Sequence, residues 1–285
     1  MSVESLWDRL EEQLVPVFAD YRSRIDELPV ATKADRTLLT EADMTVQDLI
    51  VTAIRAREPD AVIIAEEDGR TESRSEVSES RGRVWVIDPI DGTAEFVRKE
   101  KVEYCSVVCL LDDWEPAEAF VLAPELGAGR SPLVATASTS SGIVLLGGRE
   151  MRTAVPADRK RWLSITRSAS DPPPQFEAAA ANQGFHSKTS TTSQTLDMLR
   201  TVLDISSLTE PPLPQFSLFW RRDQKLWDGV AGLCMASAAE LRTCDEYGYS
   251  LPCGPQFLSD PTPTFSSTVV GQPEIVAWFL DVVTS

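Results

Sequence analysis

The sequence predicts a mixed α/β fold, and three observations carry that prediction. Two stretches near the amino terminus repeat apolar side chains at helical spacing, short runs of β-branched and aliphatic residues follow them, and Pro, Gly and Asp punctuate the intervals. At 285 residues the chain is long enough for one large core or for two subdomains sharing a sheet-rich interior.

Residues 4–28 line up Leu6, Leu10, Leu14, Val17, Phe18, Tyr21 and Ile25 on one helical stripe, with Pro16 expected as a kink. A second helix is predicted from Ala42, with Val46, Leu49, Ile50, Ala53 and Ile54 on its inner face, ending before Pro59. Thr40 or Asp43 is its candidate cap. Residues 61–65 read as a short strand followed at once by Glu66, Glu67 and Asp68, and the polar stretch 69–82 reads as a loop.

The segment RVWVIDPIDGTAEF, residues 83–96, is the one around which the chain is organised. Val84, Trp85, Val86 and Ile87 form a buried strand, which puts Asp88 at its end. Pro89 lacks an N–H and fixes its own φ, so a turn is expected there, with Asp91, Gly92 and Thr93 leading into a helix. Asp88 and Asp91 are thrown to the same side of that turn. Carboxylates packed beside a buried strand repel each other unless a cation neutralises them or one takes up a proton. Hard oxygen donors with no thiolate or imidazole nearby suit Mg²⁺, with Mn²⁺ or Ca²⁺ as substitutes.

Further strands are predicted over 104–111 and 119–123, joined by a hairpin-like LDDWEP, and over 133–146. The polar stretch 147–161 is the expected subdomain boundary, dividing the chain into an amino-terminal unit of residues 1–155 and a carboxy-terminal unit of residues 156–285. Residues 163–168 read as a strand running into a polar turn, and DPPP (171–174) as a stiff linker into a short helix over 176–183. A strand follows over 184–190, a helix over 193–202, and a rigid PPLP loop over 211–214. Asp228 is a good N-cap for a helix over 229–241 that is dense in Gly, Ala and Ser and so able to pack closely. No internal repeat is present.

Composition narrows the chemistry. A hydrophobic fraction of 42% and a charged fraction of 25% are ordinary for a globular protein, but the formal net charge is −17. So acidic a surface argues against nucleic-acid partners and against docking on anionic lipid. It also repels anionic substrates at long range, so a phosphate site would need metal to reverse the local sign. The amino terminus carries acids where a targeting segment would be basic, and no apolar run reaches membrane-spanning length, which leads to the expectation of a soluble cytoplasmic protein. Five cysteines without a Cys-x-x-Cys pair suit free thiols rather than zinc or disulfides. His186 is the only histidine, which excludes His-rich metal centres and disfavours Ser-His-Asp chemistry; a surface or hydrogen-bonding role is expected for it.

At residues 84–93 the chain resembles the inositol monophosphatase superfamily, Mg²⁺-dependent and lithium-sensitive phosphatases in which a strand ends in Asp-Pro-hydrophobe-Asp-Gly-Thr. Other motifs recur in order. Lys33, Asp35, Thr40 and Asp43 resemble the superfamily's Lys-x-Asp and Val-Thr-x-x-Asp segment, Ala65-Glu66-Glu67 its Gly/Ser-Glu-Glu, and Trp227-Asp228 with Ala231-Gly232 its Trp-Asp-x-x-Ala-Gly. The resemblance weakens between about Gly127 and Pro214, where Thr192-Ser193 replaces the usual Gly-Ser, and Glu240-Leu241 replaces a later Gly-Gly.

That resemblance implies a layered α-β-α-β-α sandwich, with most metal ligands in the amino-terminal subdomain and Asp228 supplied by the other. It implies two or three Mg²⁺ ions, with Mn²⁺ as an alternative, on Glu66, Asp88, Asp91, Asp228 and the Ile90 carbonyl, with Glu67 as a partner through water. Asp43 would orient the Thr93 hydroxyl to draw a proton from the attacking water, and the N–H groups of Gly92 and Thr93 would meet a phosphate oxygen. Glu95-Phe96, Tyr104 and Ala123-Pro124 resemble the 3′(2′),5′-bisphosphate nucleotidase branch more than the inositol branch, although Ala94 stands where that branch has Lys or Arg. Arg221 and Arg222, before the Trp-Asp motif, favour a second anionic group over a polyol. The implied substrate is a small phosphorylated metabolite, 3′-phosphoadenosine 5′-phosphate foremost, with inositol, sugar, histidinol or nucleoside monophosphates as the alternative and a non-catalytic binding relative as the contrast. Homodimers are common in the family.

Overall fold

The computed structural model describes residues 5–32, 38–67, 82–151, 161–167 and 174–283. Lys33, Asp35, Asp68, the stretch 69–81, most of the expected boundary (152–160), Ser168 and 171–173 of DPPP lie outside the described residues.

In chain order the first half contains α1 (Leu6–Ser23), β1 (Val30–Thr32), β2 (Leu38–Thr40), α2 (Glu41–Arg57), β3 (Ile63–Ala65), β4 (Val84–Asp91), α3 (Thr93–Phe96), β5 (Cys105–Asp112), β6 (Glu115–Ala123), β7 (Leu133–Ser138), β8 (Ile143–Leu146) and β9 (Arg149–Glu150). The second half contains β10 (Trp162–Thr166), α4 (Gln175–Asn182), β11 (His186–Lys188), α5 (Gln194–Val202), β12 (Leu218–Lys225), α6 (Leu226–Ala238), β13 (Arg242–Cys244), β14 (Thr264–Gly271) and α7 (Pro273–Val283).

β3 to β9 form one seven-stranded sheet in sequence order, antiparallel except for the parallel β3/β4 pair. The second sheet has five strands in the order β11-β10-β12-β14-β13, with β10 parallel to β11 and β12 and the rest antiparallel. Strand alternation sends successive residues to opposite faces, and each face buries against helices. Trp85, Ile87, Val108, Leu110 and Phe120 pack on α1 and α2, whereas Val84, Val86, Val107, Cys109 and Val121 pack on α5 and α6. The other side of that helical layer meets Phe219, Phe265 and Val270 of the second sheet, whose far face packs Leu163, Ile165 and Trp220 against α4 and α7. The result is the expected α-β-α-β-α sandwich. Among the described residues no helix is long and apolar enough to cross a membrane.

The local sequence accounts for the helix ends. Ser5 caps α1 by accepting from Asp8 N (3.1 Å), while Asp8 accepts from Ser5 N (3.2 Å), a reciprocal box. Pro16 sits inside α1. The predicted hairpin turn falls at Asp113 and Trp114, both at positive φ (51° and 65°), the backbone twist that two-residue hairpins require. Five cysteines are free thiols, and His186 is exposed, its ring 5.1 Å from that of Trp162.

Two expectations are corrected. β4 does not stop at Asp88: it continues through Pro89 to Asp91, and its register against β5 shifts between Asp88 and Asp91. A bulge tolerates a residue without an N–H, so Pro89 marks an irregular strand rather than its end. Asp228 does not cap α6, which starts earlier, at Leu226, with Lys225 as N-cap and Asp228 in the first turn.

Candidate active site

The bulge in β4 is what brings Asp88 and Asp91 together. Asp88, Asp91 and Asp228 each offer an oxygen, and these oxygens all lie within 4.8 Å of one another. Two of the three come from β4 and the third from the first turn of α6, so the cluster joins the two halves of the chain. With Glu66, at the end of β3, they line an open cleft of about 290 Å³. Ile90, Gly92, Thr93, Glu95 and Gln194 also line it.

Burial makes this cluster electrostatically costly without a cation. Asp88 is pushed well above the usual carboxylate range by loss of solvent and then by the charges of Glu66, Asp91 and Asp228. Asp228 is raised in the same way, desolvation first, and the charge of Arg221 works against that rise. Asp91 is pushed up to about 6 by burial, with hydrogen bonds from Ser193, Thr195 and Gln194 pulling the other way. Asp88 Oδ1 is buried without a hydrogen-bond partner among the described residues. An oxygen-only donor set, an orphaned buried carboxylate oxygen and mutually repelling acids fit a hard divalent cation such as Mg²⁺.

The start of α5, which sequence reasoning identified only as a helix start, holds this cluster in place. Ser193 Oγ and Thr195 N each donate to Asp91 Oδ2 at 2.7 Å, and Gln194 N donates to Asp91 Oδ1 at 3.3 Å. Ser193 also caps the helix by accepting from Leu196 N at 3.0 Å. A carboxylate at a helix N-terminus is favoured by the unpaired N–H groups and the dipole there. Gln194 Nε2 donates to Asp228 Oδ2 at 2.6 Å, so a single residue touches acids from both halves. The sequence marks Ser193 only through Thr192-Ser193, which stands in place of the usual Gly-Ser, and nothing marks Gln194.

Gly92 shapes the turn into α3. Its φ of 90° is left-handed, and a Cβ there would stand 3.1 Å from Glu103 O and 3.3 Å from Ser193 N. Only glycine combines that backbone with so close an approach. Thr93, buried behind it, places Oγ1 3.0 Å from Ile90 O and 3.4 Å from Asp43 Oδ1. Asp43 is wholly buried, and its Oδ2 accepts from Thr40 N (2.7 Å) and Thr40 Oγ1 (2.6 Å) at the start of α2.

The two predicted arginines diverge because neighbouring strand residues face opposite ways. Arg221 donates from Nη1 to Thr166 O at 3.1 Å on the face that meets α5 and α6. Arg222 is drawn to the other face, where Nε donates to Glu246 Oε2 at 2.9 Å and the guanidinium lies 5.4 Å from the Trp220 ring. Of the expected contacts, Arg222 is therefore the one that the fold does not bring towards the acids. Glu67 N donates to Gln47 Oε1 at 3.1 Å.

Residues 11–256 match the inositol monophosphatase family. The 3′(2′),5′-bisphosphate nucleotidase CysQ of Escherichia coli K12 is 26% identical over 229 residues, 80% of this chain and 85% of its own. The histidinol-phosphatase of Mycobacterium tuberculosis is 34% identical over 122 residues, 43% of this chain and 42% of its own. A solved IMPase/NADP phosphatase complexed with Mg²⁺ and phosphate superposes with a TM-score of 0.70 at 18% identity, over 96% of this chain and 93% of its own, a likeness of fold.

Proposed function

The chain belongs to the inositol monophosphatase family and is a phosphatase, and we propose that it hydrolyses a small phosphomonoester with Mg²⁺, the substrate being a 3′(2′),5′-bisphosphate nucleotide such as 3′-phosphoadenosine 5′-phosphate. The convergence of Asp88, Asp91 and Asp228 oxygens within 4.8 Å carries this reading. Together with Glu66 and the Ile90 carbonyl they would hold two or three Mg²⁺ ions. When bound, the metal supplies neutralisation of the phosphate charge and an acidified water.

The protein's own groups do the rest. Thr93, between Ile90 O and Asp43, is suited to take a proton from the attacking water and pass its own to an acceptor behind it. The N–H groups of Gly92 and Thr93 remain the candidates for a phosphate oxygen. In domain terms, residues 1–155 would supply Glu66, Asp88 and Asp91, and residues 156–285 Asp228 and the substrate contacts.

Arg221 supports a second anionic group, because its charge acts on Asp228 from the second sheet. The extent of the match to CysQ, 80% of this chain, supports the same substrate class. The alternative, a monophosphatase acting on inositol, a sugar, histidinol or a nucleoside monophosphate, is favoured by the higher local identity to the histidinol-phosphatase. A non-catalytic relative is disfavoured by the presence of every expected acid and of Thr93.

Released phosphate measured across such esters in Mg²⁺ separates these readings. Fastest turnover is expected for the bisphosphate; preference for histidinol or inositol phosphate would replace it with the alternative. Arg221→Ala is expected to raise KM for the bisphosphate about 10-fold more than for the corresponding monophosphate, the scale of one charge-assisted hydrogen bond. An equal change for both would remove the second-phosphate role.

A further inference from the structure

α2 backs the site with two polar residues one turn apart. Asp43 and Gln47 are both wholly buried, and Ala42, Val46, Ile50 and Ile54 beside them are apolar. Asp43 reaches Thr93. Gln47 turns to the opposite wall: its Oε1 accepts from Glu67 N at 3.1 Å, just past the end of β3. Because the backbone group donates, this contact fixes the orientation of the amide. Its Nε2 is then buried with no hydrogen-bond partner among the described residues.

A glutamine is costly at such a position. Burying an amide is unfavourable, and leaving its N–H groups unpaired adds to that cost. Leu or Met, close to it in volume, would pack in this apolar layer at least as well. What glutamine supplies, and they cannot, is an acceptor for Glu67 N.

The consequence falls on Glu66, which lines the cleft beside Asp88, Asp91 and Asp228. Its own N–H donates to Ile87 O of β4 at 3.1 Å, and the next N–H along the chain is the one that Gln47 holds. Two successive N–H groups, one tied to β4 and the other to α2, fix the peptide between them. They thereby fix the direction in which the Glu66 side chain leaves the backbone. Asp91 is held differently, through its own carboxylate oxygens, by the start of α5.

We infer that Gln47 is a positioning residue: by holding Glu67 N it aims the Glu66 carboxylate into the acid cluster and so sets the affinity of the cleft for a divalent cation. This deepens the Mg²⁺-dependent reading above and rests on it.

The test is Mg²⁺ binding by isothermal calorimetry without substrate, at an ionic strength of about 0.15 M that screens loose binding to the acidic surface. Wild type is compared with Gln47→Leu and Gln47→Met, which remove the acceptor and keep the volume, so that either serves if the other does not fold. Gln47→Glu keeps an acceptor at the same reach. The dissociation constant is expected to rise about 10-fold in the Leu and Met variants, the scale for losing a partner behind a metal ligand. In Gln47→Glu it is expected to fall or to stay within about 3-fold of wild type. Glu66→Gln completes a cycle: in that background Gln47→Leu is expected to change affinity by less than about 3-fold, because the carboxylate being aimed is gone. A merely loosened fold would weaken binding by the same factor in both backgrounds. Leu and Met variants that bind like wild type, a Gln47→Glu loss as large as theirs, or additive losses in the cycle overturn the inference and leave the phosphatase reading standing. No Mg²⁺ binding by the wild type, together with no Mg²⁺-dependent phosphate release from the esters above, overturns both.

Discussion

Thr93 shows how much one hydroxyl is asked to do. It has a single proton and two acceptors, and Ile90 O at 3.0 Å is nearer than Asp43 Oδ1 at 3.4 Å. Asp43 meanwhile is saturated on Oδ2 by two donors from Thr40, which fixes its Oδ1 towards Thr93. A proton delivered to Thr93 therefore has a buried carboxylate waiting behind it, whereas the carbonyl serves only to orient the hydroxyl. Thr93→Val keeps the shape and deletes this path, and it is expected to lower kcat by about 100-fold, with KM changed by less than about 3-fold. Steady-state kinetics on any hydrolysed ester checks it; a kcat within about 5-fold of wild type would move the proton path elsewhere.

Among the elements, α3 is only four residues long and cannot hold itself in place. Arg22, on α1 and 7% exposed, does so from outside. Its guanidinium donates to the carbonyl oxygens of Phe96, Arg98 (3.2 Å), Lys99 (2.7 Å) and Lys101 (3.0 Å), and its Nε pairs with Glu125 at 2.8 Å. Tyr104 Oη donates to the same Glu125 at 2.9 Å. The chain leaving α3 is thus wrapped around one buried cation, and breaking such a group leaves several acceptors without a partner. Arg22→Met, close in volume, is expected to destabilise the protein by about 3 kcal/mol in urea denaturation. A loss under about 1 kcal/mol would mean that the 96–101 segment is held by packing alone.

Elements also show where the sequence was readable. The α1 stripe and the hairpins were legible because period and turn chemistry agree locally. β12 was not: it is central in its sheet, yet its second half reads Arg-Arg-Asp-Gln-Lys, a run that resembles a solvated loop. Its partner β14 and the helix α7, both past residue 241, were likewise not anticipated. The acids were legible through Asp-Pro-Ile-Asp-Gly-Thr and Trp-Asp. Gln194 was not, because its importance comes from a contact with Asp228 across 34 positions, which spacing cannot encode.

At the scale of the whole molecule, acids from both halves converge at the cleft, so the fold without metal carries an internal conflict there. Burial raises Asp88, Asp91 and Asp228, Asp91 to about 6, and the neighbouring acids push Asp88 and Asp228 further the same way. A carboxyl raised in the folded state retains a proton that the unfolded chain, near 3.8, has already released. Its contribution to stability is complete below that unfolded value and is lost as pH rises through the folded one. Mg²⁺ binds the deprotonated set and must compete with those protons, so its stabilisation grows over the same interval. Thermal melts with and without Mg²⁺ at about 100 times its dissociation constant are expected to differ by on the order of 5 °C at pH 8 and by much less at pH 5. Because other titrating groups affect both melts equally, only the Mg²⁺-induced difference is diagnostic, and in Asp228→Asn it is expected to shrink at both pH values. An equal Mg²⁺ shift at pH 5 and pH 8 would mean that the ion binds outside this cluster, on the strongly acidic surface.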